Sequence, residues 1–287
     1  MRLGICYSPY HPNFVGYGDE KFKKIKEFGF THVDFGLGDT TKPVYTLPQE
    51  ESDAILLKER TLAEEAGLTI HQVHGPWCWP PPEMDVKGME KRLEDMKKSI
   101  RAASVLGVKY WVVHPIMPYW TEEKGTEFEP LTREANFKFM RELLVTAKEY
   151  DVTICLENMP MPDFSIATPK EILEFVEEIG DYHFQICLDT GHVGVFEGMD
   201  LAEETRRLGK HIKVLHVHDN VVGPDVHLIP YYGRIDWLEF VKALREIEYD
   251  GVFNLELLAP TGMPVELREV MYKAFADLAR TMLTIKE

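Results

Sequence analysis

Short apolar runs of strand length alternate along this chain with longer segments whose apolar residues recur at helical spacing. The strand-like runs are Leu3–Tyr7, His32–Gly36, Thr69–His74, Tyr110–His114, Thr153–Glu157, Phe184–Asp189, Val214–His218 and Val252–Leu257. Helical periodicity occupies Asp19–Phe28, Glu50–Ala66, Lys87–Leu106, Thr132–Tyr150, Thr168–Ile179, Leu201–Leu208, Ile235–Ile247 and Val265–Ile285. Strands separated by amphipathic helices are joined by crossovers, which build parallel sheet. Eight such units in one uninterrupted series predict an α/β fold, a closed (β/α)8 TIM barrel forming a single domain over residues 1–287. A doubly wound open sheet is the competing architecture, disfavoured because no glycine-rich phosphate loop follows the first strand. Gly29, Gly67, Gly107 and Gly180 punctuate helix ends, and Thr168-Pro169 with Glu171 has the form of a helix start.

The sixth run ends abruptly in Asp189-Thr190-Gly191-His192. A carboxylate at the end of a buried strand requires donors or a cation, because an unpaired buried charge is costly. Asp189 alone has two readings, a cap for the following helix and a metal ligand. Similar strand ends carry His74, His114 and Glu157, and His216 and Glu256 lie within the seventh and eighth runs. In a barrel these ends converge on one face, so all six residues are expected around one pocket. Mixed imidazole and carboxylate donors suit manganese, cobalt, iron or zinc, whereas magnesium and calcium sites lean toward oxygen. His218 shares the face of His216 and is read as a ligand or as a donor that orients one. His11, just beyond the first strand, is read either as a structural residue or as part of the pocket rim, and His32, His71, His183 and His211 are given structural or solvent roles.

Charge and cysteine content narrow the picture. With 48 acidic against 32 basic residues the formal charge is −16, which favours solubility and argues against a nucleic-acid-binding face. Cys6, Cys78, Cys155 and Cys187 show no CxxC spacing, and no apolar signal segment follows Met1, so a reduced, cytoplasmic protein is expected. No run approaches the roughly 18 to 20 apolar residues of a membrane span. Cys155 and Cys187 each stand two residues before Glu157 and Asp189, on the same strand face, and read as small packing residues inside the barrel.

The motifs Leu156-Glu157-Asn158, Leu188-Asp189-Thr190-Gly191-His192, His216-Val217-His218-Asp219 and Leu255-Glu256-Leu257 run in order along nearly the whole chain. Together they resemble the xylose-isomerase-like TIM-barrel superfamily, which includes sugar isomerases, ketose 3-epimerases, inosose-processing enzymes and the apurinic endonuclease IV family. Its epimerase branch implies one divalent ion, manganese, cobalt or zinc, on Glu157, Asp189, His216 and Glu256, with Glu157 and Glu256 as the catalytic pair. Inverting a carbinol carbon beside a carbonyl needs a base on one face and an acid on the other, and the same pair serves aldose–ketose isomerisation. The endonuclease branch implies a multinuclear zinc phosphodiester hydrolase, with further ligands at His74, His114, His192, Asp225 and His227, all of which this chain carries. In sugar-type members such histidines serve as substrate contacts. A lyase or dehydratase on the same metal and base, and a non-catalytic carbohydrate-binding barrel, are further alternatives.

Aromatic side chains at the mouth favour a small-molecule sugar. Trp77 and Trp79 in the third-strand loop, with Tyr119 and Trp120, suit stacking on the C–H face of a ring. The mouth loops supply few cations, chiefly Lys42, Lys124 and Arg234. Arg234 is read either as a substrate contact or as a cap on the seventh helix. A free ketose or related polyol-ketone is therefore preferred to a sugar phosphate, and homo-oligomerisation is left open.

Overall fold

Eight strands form close to the predicted positions in the computed structural model, which describes residues 1–77, 86–117 and 123–285. They are β1 Arg2–Tyr7, β2 His32–Gly36, β3 Thr69–His74, β4 Tyr110–Val113, β5 Thr153–Glu157, β6 Phe184–Asp189, β7 Ile212–His216 and β8 Val252–Leu255. Each pairs in parallel with its neighbour in the order β7-β6-β5-β4-β3-β2-β1-β8. Beyond the end of β7, Val217 bridges to Leu255, with its N–H donated to Asn254 O at 2.9 Å and its carbonyl accepting from Glu256 N at 3.0 Å. Those bonds bring the two ends of the sheet together into a nearly closed, single-domain TIM barrel.

The differences from the sequence expectation have local causes. β7 stops at His216 because the next inward residue, His218, donates its backbone N–H to Thr190 Oγ1 at 3.0 Å instead of to a strand. The helix Trp237–Glu246 starts after Asp236, whose side chain accepts from Glu239 N, so Ile235 remains outside it. Pro12–Val15, Pro43–Thr46 and Thr190–Gly194 are helices too short to show periodicity. At Thr168 a full capping box forms with Glu171, as its sequence implies.

Two register irregularities set the phase of the site. Val33 pairs with Ile70 but Asp34 with Gln72, which leaves His71 as an extra residue in β3. Ile186 pairs with Ile212 but Cys187 with Val214, leaving Lys213 extra in β7. An extra residue reverses which side chains face inward beyond it. The first irregularity therefore sets Gln72 beside Asp34, and the second sets His216 level with Asp189.

Inside the barrel, Val112, Cys155, Cys187 and Val214 form a buried layer with Tyr110 against it. Two residues further along the same strands stand His114, Glu157, Asp189 and His216, so the period-2 rule places the polar set directly above this apolar floor. Burial pushes the thiols of Cys155 and Cys187 upward, which keeps both as inert packing groups. The opposite faces of the strands pack on the helices, with Trp111, Phe175, Phe184, Phe240 and Phe253 fully buried there. Among the described residues no helix is long and apolar enough to cross a membrane.

Candidate functional site

Glu157, Asp189, His216 and Glu256 meet at the C-terminal mouth of the barrel, each offering a ligand atom within 4.8 Å of the others. His216 Nδ1 lies 2.9 Å from Glu157 Oε1 and 3.5 Å from Glu256 Oε2. Asp189 is both cap and site residue, which unites its two sequence readings. One oxygen accepts from His192 N at 2.6 Å, starting the Thr190–Gly194 helix, and the carboxylate also meets His218 Nε2 at 3.1 Å. Gly191 is required beneath that pair, since a Cβ there would overlap the His218 ring.

His74 and His114 reach the same carboxylate from β3 and the end of β4. Their Nε2 atoms stand 3.5 and 3.1 Å from Glu157 Oε2, with the two rings edge to face. A second group forms beside the first, from His192, His218, Asp225 and His227. His192 Nε2 is 3.4 Å and His227 Nε2 3.1 Å from Asp225 Oδ2, while the rings of His218 and His227 stack at 3.9 Å. Asp219 brings this group together. Its buried carboxylate accepts from Asn220 N at 2.8 Å, Tyr231 N at 2.9 Å, Ile235 N at 3.2 Å and Trp237 Nε1 at 2.9 Å, folding the loop that carries Asp225 and His227.

The donor set fits a divalent cation. Glu157 Oε2 and Glu256 Oε2 are buried without a hydrogen bond, and the ion pairs of Glu157, Asp189, Glu256 and Asp225 among the described residues are all with imidazoles. Buried carboxylates this dense need positive charge, from protons on the histidines or from a metal. Burial disfavours ionisation of Glu157, but His216 and His114 outweigh it and hold its carboxyl well below the usual range. Glu256 moves the other way: burial raises it, only partly opposed by His216 and His227. Burial likewise disfavours charging His192 and His227, yet Asp189 and Asp225 for the first, and Asp225 and Glu256 for the second, lift them to about 10 and about 9.

A pH dependence follows for the metal-free protein. Protonated His192 and His227 contribute stability that is complete below the ordinary imidazole value of 6.5 and is lost as pH rises through about 9 to 10. The melting temperature of chelator-treated protein should fall across that window. Added zinc should raise it most at the alkaline end, because ligand imidazoles must be unprotonated. A melting temperature independent of pH between these limits would contradict the geometry of the second group.

Trp77 is half-exposed at the mouth and packs against Gly38, where any Cβ would overlap the indole. Trp79 lies outside the described residues. Arg234 donates from Nη1 to Gly194 O at 3.2 Å and Phe196 O at 2.8 Å, so it ties down the end of the short helix after β6 and not the start of the helix at Trp237. His11 caps the Pro12–Val15 helix through Nδ1. Asp34, absent from the sequence candidates, sits in the site's floor with Oδ2 at 3.0 Å from His216 Nε2. Its signal was the one carried by Asp189, a lone carboxylate in an apolar run, but placed within the strand and not at its end.

A parallel (β/α)8 barrel thus gathers at its C-terminal face imidazoles and carboxylates that could hold a metal ion. The chain belongs to the xylose isomerase-like TIM barrel family, whose model matches residues 22–274. It is 26% identical over 269 residues to D-psicose 3-epimerase of Enterocloster bolteae, covering 91% of this chain and 84% of that one. It is also 26% identical over 196 residues to inosose isomerase of Bacillus subtilis, covering 66% and 68% of the two chains. Among solved structures, D-psicose 3-epimerase in the presence of D-fructose superposes with a TM-score of 0.76 over 99% of both chains at 18% identity. The relatives are thus sugar epimerases and isomerases.

Proposed function

We propose that this protein is a divalent-metal-dependent isomerase or epimerase that acts on a ketose or related polyol-ketone by proton transfer through an enediolate. The observation that carries this reading is the pair Glu157, at the end of β5, and Glu256, just beyond β8, each with a buried oxygen that makes no hydrogen bond and faces imidazoles alone. Two such carboxylates can serve as base on one face of a substrate carbon and acid on the other. When bound by Glu157, Asp189, His216 and Glu256, a divalent ion would polarise the adjacent carbonyl and stabilise the negative charge that develops on it. His74 and His114, whose Nε2 atoms face Glu157, would hold substrate hydroxyls beside it, and Trp77 would offer an apolar face at the rim. The kinship with D-psicose 3-epimerase and inosose isomerase supports a polyhydroxylated ketone as substrate class.

Incubation of the zinc- or manganese-reconstituted protein with free ketoses and inososes, followed by NMR, tests the proposal. A new epimer or aldose should appear and should vanish with a chelator. No product from any member of the panel would refute it.

A second reading, a multinuclear zinc phosphodiester hydrolase, is favoured by one observation: His192, His218, Asp225 and His227 form their own ligand group beside the first. Cleavage of DNA containing an abasic site, with several zinc ions bound per chain, would establish that reading in place of the first.

A further inference from the structure

We infer that Asp34 is a positioning residue that fixes the ring and the proton of His216, so that Nδ1 faces the candidate metal centre. This inference rests on the metal-site reading above. In His74, His192, His218 and His227, Nδ1 lies against a backbone carbonyl, that of Gly75 at 2.9 Å, Asn158 at 2.6 Å, Asp219 at 3.2 Å and Glu256 at 3.2 Å respectively. Each carbonyl can only accept, so Nδ1 carries the proton and Nε2 is left facing a carboxylate of the site.

His216 is turned the other way. Its Nδ1 faces Glu157 Oε1 and Glu256 Oε2, and its Nε2 meets no carbonyl but Asp34 Oδ2 at 3.0 Å. Asp34 thus does for His216 what the backbone does for His74, His192, His218 and His227. A ligand imidazole needs such an acceptor behind it to keep the coordinating nitrogen free of a proton.

Asp34 is itself held for this task. Gln72 Nε2 donates to the same oxygen at 3.1 Å, and Gln72 stands beside Asp34 only because of the extra residue His71 in β3. The second oxygen, Asp34 Oδ1, is buried and without a hydrogen bond, and so is Gln72 Oε1. A fully buried carboxylate with one spare oxygen is an expensive choice for packing. Its use here is the His216 proton.

The test uses Asp34→Asn, which keeps an oxygen acceptor without charge, and Asp34→Leu, which removes it. Zinc affinity, measured by competition with a chelating indicator, should fall about 10- to 100-fold in Asp34→Leu, with Asp34→Asn between it and the wild type. Nitrogen-15 NMR of the ring should show a slowly exchanging proton on His216 Nε2 in the wild type, with or without zinc, and its loss in Asp34→Leu. A packing role would lower the melting temperature of the variants without this ordered loss of affinity. Wild-type affinity in both variants, or an unchanged Nε2 proton in Asp34→Leu, would overturn the inference. Failure of the wild type itself to bind zinc would instead remove the metal-site reading, and the ring-proton measurement on metal-free protein would still decide what Asp34 does.

Discussion

Glu157→Gln and Glu256→Gln are each expected to lower turnover by a factor on the order of 10² to 10⁴, the cost of losing a general base. Glutamine keeps the length of the side chain and one oxygen donor, so ion binding should weaken without disappearing. The two positions are not equivalent in surroundings. Glu157 is enclosed by His74, His114, His192 and His216, whereas Glu256 faces His216 and His218 with its side chain part-exposed at the mouth. Removing the Glu157 charge takes the carboxylate from His74 and His114, whereas His192 keeps Asp189 and Asp225 and His216 keeps Asp34 and Glu256, and a larger loss of thermal stability is expected there than at Glu256. Steady-state kinetics on a product-forming sugar, with melting curves of the same samples, separates the two effects. Full turnover in either variant would remove that glutamate from the chemistry.

Asp189→Asn should abolish tight ion retention. The carboxylate does three things at once: it caps the Thr190–Gly194 helix through His192 N, meets His218 Nε2, and faces the ligand set. An asparagine that keeps the cap must turn its amide nitrogen toward His218 or toward the ion, and neither substitutes for a carboxylate oxygen. An ion present at a hundredfold excess over its Kd stabilises a protein by about 2.7 kcal/mol. The variant should lose that increment, so its melting temperature should be the same with and without added metal. Wild-type metal stoichiometry by elemental analysis in Asp189→Asn would contradict the assignment.

Fold and site were legible in the sequence to different depths. Strand positions were readable because each strand is a short apolar run bounded by a helix, and the mouth residues because a barrel gathers strand ends. Asp189 announced itself as a carboxylate that an apolar run cannot bury alone, and Glu157 and Glu256 through the recurrence of such residues at strand ends. What could not be read was register. Whether His216 stands level with Asp189 depends on the extra residue Lys213, and periodicity within one strand says nothing about an irregularity between two. Asp34 was passed over for the same reason, since its value lies in a partner more than a hundred residues away. His218 was left between ligand and orienting donor, and its stacking on His227 depends on a loop fold set by Asp219. Arg234, read as a substrate contact or as a cap on the seventh helix, instead donates to the carbonyls of Gly194 and Phe196 at and just beyond the end of the Thr190–Gly194 helix, a contact that depends on tertiary packing.

The central claim, proton transfer between Glu157, Glu256 and a carbon beside a carbonyl, is tested most directly by turnover in heavy water. The metal-loaded protein, incubated with a ketose that it converts, should place solvent deuterium at the inverted carbon if it is an epimerase, or at the neighbouring carbon if it is an isomerase, and label should enter recovered substrate as well. Product that accumulates over many turnovers with no solvent-derived deuterium would contradict the account and point to hydride transfer between carbons.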